Sequence, residues 1–489
     1  MRKLFTLLII LFFCSSIQAQ NFIVDQQSQR VEKSDWTNTA VAIGSTGMLT
    51  LTRTDKKEWE FMAYAGANLG YGQFETVIPS KKFQPFGTLS TEDHGYIYMV
   101  KNGNYLRIDA GNDFAVKITT NKFPKGFKPI GLKTLGNKGL FYSSKALLLH
   151  DPITLINDEI PIVPEVIKSS VRILKVDTFE DSNEVIIYLG LQGKITHLIR
   201  YTIGENKTTL LTIPPNIISY SCEGSAVIDG SKTYFGGSTG ELNFIKGLVF
   251  IAFEGSTVSS NSNLPLDSLS YNKVFRRKSD LETFLEKQEF KKTRPMESVT
   301  YTPIILENEN VVVIQELYRN SFYIRHHISQ KNSVTGMYEN ADTKIFTGYE
   351  AYTSLVTKYT PQGELVWDGY FNNFPNYSTN LKMEAISDVR IVAPNIIRVV
   401  QPNYEAIKVC TIDAAKESLT FKETDIETVD AESYPRVSKD TYITNSKRIL
   451  PLPGDKYLYY GYNIVAPLLE AKKVVERASY QLLQMDLIP

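Results

Sequence analysis

The sequence predicts an all-β protein, a β-propeller-like ring of about six to eight antiparallel blades. Strand–turn–strand units recur along the chain, beginning near residues 40, 95, 140, 184, 225, 310, 355, 385 and 456. Their period of about 45 to 55 residues suits four-stranded blades. Aromatic residues make up 11% of the chain, led by 28 tyrosines, a composition that favours pleated strands. At 489 residues the chain is too long for one sandwich, and so many short strands need closure or radial repetition to dispose of their edges. Residues 20–489 are expected to form a single domain, with two β domains divided near 276–295 as the alternative.

The chain opens on a targeting segment. Arg2 and Lys3 form a basic start, residues 4–13 are apolar, and Ile17-Gln18-Ala19 ends in a small residue suited to signal peptidase. Cleavage is expected after Ala19. The apolar run of about ten residues falls short of the roughly twenty that span a membrane. Cys14 follows bulky Phe13, which argues against lipoprotein processing. No later apolar run is long enough to span, so the mature chain is expected to be soluble and exported, periplasmic or secreted.

Past that segment, Phe22-Ile23-Val24 reads as a short strand that pairs far away in sequence. Residues 40–43 and 48–52 flank a glycine turn, and 59–65 add a third strand. Tyr96 to Val100 turns at Asn102-Gly103, a strong hairpin signal, into Tyr105 to Ile108 and then Phe114 to Ile118. Further pairs occupy residues 140–150, 184–213 and 225–253. Ser279-Asp280-Leu281-Glu282 reads as a capping box, so one short inserted helix is expected near 279–290. Val311 to Tyr318 is a strand by composition. Leu355 to Tyr359 and Glu364 to Tyr370 form a hairpin, with Pro361 presetting φ and Gly363 taking the positive φ of a bulged turn. Alternation from Tyr480 to Met485 marks a closing strand.

Lysine plus arginine equals aspartate plus glutamate at 53 each. Without Arg2 and Lys3 the balance is 51 to 53, and such neutrality argues against nucleic acid and against anionic membranes. Cys222 and Cys410 could pair in an oxidising compartment, but spacing alone cannot bring their Cα atoms within about 7 Å; two buried thiols on separate strands is the simpler expectation. His326-His327 is the one histidine pair, and neighbours on a strand point to opposite faces. No metal or other cofactor is expected. Asp109, Asn112 and Asp113 gather oxygen atoms that could hold calcium, although turn chemistry explains these residues without an ion.

Gly236-Gly237-Ser238-Thr239-Gly240 matches a nucleophile elbow literally, but no helix follows, so a hairpin turn is expected there. Glu316 interrupts an apolar strand and is the carboxylate to weigh as a catalytic acid; pairing with a neighbouring cation is the plainer expectation. Tyr370, Phe371, Phe374 and Tyr377 set rings beside asparagines in an apparent loop. A sugar or peptide surface uses such rings, and so does packing between blades.

The stretch Gln315-Glu316-Leu317-Tyr318, the hairpin ending Gly363-Glu364-Leu365-Val366-Trp367 and the tail from Tyr480 to Leu487 resemble uncharacterised exported propeller-like proteins of Bacteroidota. Ile-Gln-Ala-Gln at the end of the targeting segment is similar to their leaders. The resemblance implies a domain of unknown function and carries no catalytic residue across. The expected role is non-enzymatic: binding or scaffolding, with loops presented to a protein or glycan partner. A glycan- or peptide-processing hydrolase and a structural envelope component are the alternatives.

Overall fold

The computed structural model describes residues 25–31, 38–44, 47–55, 58–65, 74–77, 83–161, 171–191, 194–217, 221–241, 244–270, 296–326, 330–331, 338–339, 342–378, 385–402, 406–425, 441–452, 456–467 and 475–484. Six four-stranded antiparallel sheets occupy residues 38–77, 84–122, 129–160, 172–212, 221–265 and 388–425. A nine-stranded sheet resolves into two further units, 296–378 and 441–484, the latter completed by Asp25–Val31. One parallel bridge, Tyr377 to Ser446, joins these two units. Eight blades result, numbered 1 to 8 from residue 38. First strands of most neighbouring blades touch, and blade 8 touches blade 1. The fold is a closed β-propeller whose innermost strand is the first of each blade.

Closure joins the two ends of the described chain. Asp25–Val31 pairs antiparallel with Val475–Gln484, from Asp25 opposite Leu482 to Val31 opposite Glu476. The strand expected at 22–24 falls just outside the described residues, as does the helix expected at 279–290. Asn102 and Gly103 adopt φ of 46° and 79°, the paired positive values a two-residue hairpin requires. Gly363 takes φ of 82° and donates its N–H to the Thr360 carbonyl at 2.9 Å.

Most of the apolar core lies between blades. Val41, Leu49 and Phe61 of blade 1 meet Ile97 and Ile108 of blade 2. Ile186 and Tyr188 of blade 4 meet Phe235 and Ile251 of blade 5. Val312 and Val356 of blade 6 meet Ile397 and Ile412 of blade 7. Since both sides of a sheet are covered, Val311-Val312-Val313-Ile314 reads as an unbroken apolar run rather than an alternation.

Two expectations are corrected. The hairpins near 310 and 355 belong to one blade, because blade 6 alone spans residues 296–378. Gly236 to Gly240 forms no turn; it runs through the strand Lys232–Glu241. Glycine is needed there for close approach. A Cβ on Gly236 would lie 2.6 Å from both Val313 methyls, and one on Gly237 would lie 2.1 Å from the Glu223 carbonyl oxygen. Gly237→Ala must displace backbone and is expected to destabilise by about 2 kcal/mol. An unshifted urea midpoint would refute that packing.

Candidate binding face

In an up-and-down meander, alternate connections leave opposite ends of the sheet. The first and third connections of every blade therefore share one face of the ring, A. The second connection and the link to the next blade share the other, B. Blade 6 makes face B uneven. Its strands Val311–His326, Asp342–Tyr359 and Leu365–Ser378 have 16, 18 and 14 residues, against seven or eight in blade 2.

Pairing in this ribbon runs from Val311 opposite Tyr359 to His326 opposite Asp342, then resumes at Gln330 opposite Glu339 and Lys331 opposite Tyr338. At roughly 3.3 Å per residue the strand Val311–His326 measures about 53 Å, against about 26 Å for a blade 2 strand. The surplus forms an arm on face B. Register shifts at Leu317/Tyr318 and Ser321/Phe322 bend it. The strand Leu365–Ser378 follows the arm until Tyr377 bridges to Ser446, so blades 6 and 8 join on the face-B side of blade 7.

Charged side chains also stand on the innermost strands. Lys175 Nζ lies 2.9 Å from Asp177 Oδ2 and 3.1 Å from Ser225 Oγ. The same Asp177 oxygen accepts the hydroxyls of Tyr188 and Ser225, each at 2.7 Å. Burial opposes the ionised Asp177 carboxylate, but Lys175, Lys133 and these hydroxyls outweigh it and hold its pKa below the usual value. On the next two innermost strands stand Glu223 and Glu297. Glu223 is exposed, and the surrounding protein reduces the hydration of its carboxylate. That loss, with Glu297 adding to it and Lys175 opposing, pushes its carboxyl up to about 7. At blade 7, Asp388 accepts the Tyr457 hydroxyl of blade 8 at 3.0 Å and pairs with Arg390 at 2.6 Å.

Glu316 is fully buried. Tyr301 donates to it at 2.7 Å, Tyr318 at 2.5 Å and the Ile386 N–H at 3.1 Å, and the Ser387 hydroxyl completes the set. Hydroxyls and a backbone N–H stand in place of the expected cation. Its position pins the lead into blade 7 onto blade 6. Tyr370 is half-buried, packing on Leu355 and Leu317. Phe371 is buried in the core between blades 6 and 7, so its ring faces are occupied by packing. Phe374 and Tyr377 lie on the same strand, Leu365–Ser378; the expected loop is a strand.

Asp109 sits within the strand Asn104–Gly111 and pairs with Arg107 at 2.9 Å. Asn112 donates to Asp93, and Asp113 accepts the Ala115 N–H. The three calcium candidates thus turn to separate partners, and no group of three metal-ligating side chains occurs among the described residues. Cys410 is a free, buried thiol in blade 7, and Cys222 lies on a strand of blade 5.

His150 is fully buried between Tyr98 Oη at 3.0 Å and Asn157 Oδ1 at 2.9 Å. Burial lowers its pKa to about 4. The folded ring keeps it neutral where the unfolded chain takes up a proton. Its contribution is therefore complete above about pH 6.5 and is lost as pH falls toward 4, amounting to about 3 kcal/mol. His150→Gln should flatten that part of the pH–stability curve; an identical acid limb in both proteins would count against it.

Lys175, Asp177, Glu223 and Glu297 were not singled out in the sequence. Their signal was charge in the first strand of a hairpin cluster, where blade packing alone would favour apolar residues.

No protein-family model matches the chain, and no curated protein matches it. In structure it is similar to the dihydro-heme d1 dehydrogenase NirN, at 10% identity and a TM-score of 0.44, over 93% of this chain and 78% of that one. It is also similar to the WD40 domain of SCAP from fission yeast, at 7% identity and a TM-score of 0.41, over 95% and 99%. A third likeness is to a Bacteroides caccae protein of unknown function, at 8% identity and a TM-score of 0.29, over 67% and 89%. Among the described residues no helix is long and apolar enough to cross a membrane.

Proposed function

We propose that this propeller is an exported, non-enzymatic binding or scaffolding protein that engages a glycan or protein partner on face B. The blade 6 arm carries the reading: a paired ribbon of 16- and 18-residue strands stands out from a ring of much shorter ones. Closing a propeller needs no such extension, and an isolated two-stranded ribbon gains little stability by itself. The hydroxyl and backbone partners that Glu316 takes within the fold support the binding reading over the hydrolase alternative.

The test is a thermal-shift screen of the mature protein against a glycan panel, beside a variant in which Asn-Gly joins Arg319 to Glu350. That pair is already in register, and Asn-Gly suits a two-residue turn. A ligand at a hundred times its Kd adds about 2.7 kcal/mol to the intact protein. The expected result is a shift that the shortened variant loses, with the glycan recovered uncleaved. Equal shifts in both proteins, or cleavage products, would overturn the reading.

A further inference from the structure

We infer that face B of blades 2 and 3 is a docking surface for a polyanionic glycan, built by Lys122, Lys125, Lys128 and Lys145. This rests on the reading of face B as the binding face and names its ligand chemistry.

The three lysines at 122, 125 and 128 recur at every third position of the link between blades 2 and 3. Lys145 occupies the second connection of blade 3. Pairing brings the two connections together, because Pro129, next to Lys128, lies opposite Ser143. All four lysines are exposed, and none forms an ion pair among the described residues. Neither 122–128 nor 143–146 contains an aspartate or glutamate. In a chain of zero net charge this gathers four cations in two adjoining connections, with exposed Glu159 opposite Leu148 on the outer strand of the same blade.

The surface is held rigid from below. Phe123 and Phe127 point inward, with exposures of 6% and 8%. Their rings lie 5.5 Å apart, and Phe123 packs on Tyr105 and Phe141 at 4.8 and 5.0 Å. Phe123 N–H donates to the Gly103 carbonyl at 2.9 Å, and Phe127 N–H to the Pro124 carbonyl at 3.1 Å. With its aromatic anchors inside, the link must present its lysines outward. The ordering cost of the link's backbone is met on folding, which leaves only the lysine side chains to be ordered by a ligand.

The same burial separates candidate ligands. Single-stranded nucleic acid is gripped by stacking on exposed rings, and both phenylalanine rings here are packed away. Lysine supplies compact, multidirectional charge rather than a planar fork. That suits carboxylates repeated along a flexible sugar chain.

The experiment measures binding of the full mature protein to polygalacturonate, with dextran, polyphosphate and anionic phosphatidylglycerol vesicles alongside. Polygalacturonate should bind at low salt and dextran should not. Its affinity should fall at least about tenfold between roughly 50 and 300 mM salt, as exposed charges become screened. A quadruple variant, Lys122→Glu, Lys125→Glu, Lys128→Glu and Lys145→Glu, should lose at least about tenfold while its melting temperature holds, since the four side chains are exposed. If that variant melts early, the corresponding Lys→Gln variant should show the same loss without repulsion.

Polygalacturonate binding that is absent, insensitive to salt or intact in both variants would overturn the inference. So would binding to polyphosphate or to the vesicles alone. The arm-shortened protein separates the two readings. If it keeps its polygalacturonate affinity while the lysine variant loses it, this inference stands without the arm.

Discussion

Glu316→Ala is expected to cost about 5 kcal/mol. Four donors converge on that carboxylate: the hydroxyls of Tyr301, Tyr318 and Ser387 and the N–H of Ile386. Alanine leaves Tyr318, Ser387 and the Ile386 N–H without this acceptor in a buried site, while the Tyr301 hydroxyl keeps the Ser387 carbonyl at 3.0 Å. Each orphaned group costs roughly 1–3 kcal/mol, and partial relaxation trims the total. Tyr301 also accepts the Ser387 N–H at 3.0 Å, so the loss extends to the backbone that leads into blade 7. Glu316→Gln keeps one acceptor oxygen and should cost about half as much, its amide facing hydroxyls that can rotate. Urea unfolding of the three proteins checks the order. An alanine variant within about 1 kcal/mol of the parent would mean that the junction tolerates unpaired donors, against expectation for buried polar groups.

Asp177→Ala should follow at about 3–5 kcal/mol, because it strands a charge as well as hydroxyls. Lys175 then keeps only Ser225 and the Gly224 carbonyl as hydrogen-bond partners, at 3.1 and 3.4 Å, with Lys133 repelling it. Tyr188 loses its acceptor while its oxygen still receives the Ala226 N–H at 2.7 Å. Removing both charges in Lys175→Met/Asp177→Leu should recover much of the loss, since a buried pair contributes little beyond an apolar substitute. Strictly additive damage in the double variant would sink that account. The pH sign also follows. The Asp177 pKa is depressed on folding, so its contribution is present above the unfolded carboxylate value and is lost as pH falls through the folded one. The gap between parent and Asp177→Ala should therefore close in acid.

The two sites share a plan: a carboxylate in one blade receives a tyrosine and a serine, and the tyrosine oxygen takes an N–H from the next blade. This plan was only partly legible in sequence. Glu316 stood out because it broke an apolar strand, but apart from Tyr318 its partners come from 15, 70 and 71 residues away, and no local pattern reports that. Blades 1 to 5 were readable because each is a meander of short strands with Gly or Asn turns. Blade 6 was not, since its long strands carry two turn-rich stretches that look like separate blades. Glycine misled at Gly236-Gly237, where inter-blade contact uses the same residue that turns use. The aromatic stretch at 370–377 misled for a related reason: asparagines beside rings imitate a loop, while Asn373 is buried and hydrogen-bonded to Ser354 and Gln401.

Blade 8 couples the two ends of the chain in time as well as space. Asp25–Val31 is made about 450 residues before its partner Val475–Gln484. During synthesis that early strand has an open edge and no native neighbour on its pairing side, the condition in which strands seek foreign partners. Seven blades can form before it is placed, and the final step closes a loop of nearly the full chain, which favours slow completion. A factor that holds this segment until its partner strand is made would protect the chain through that interval.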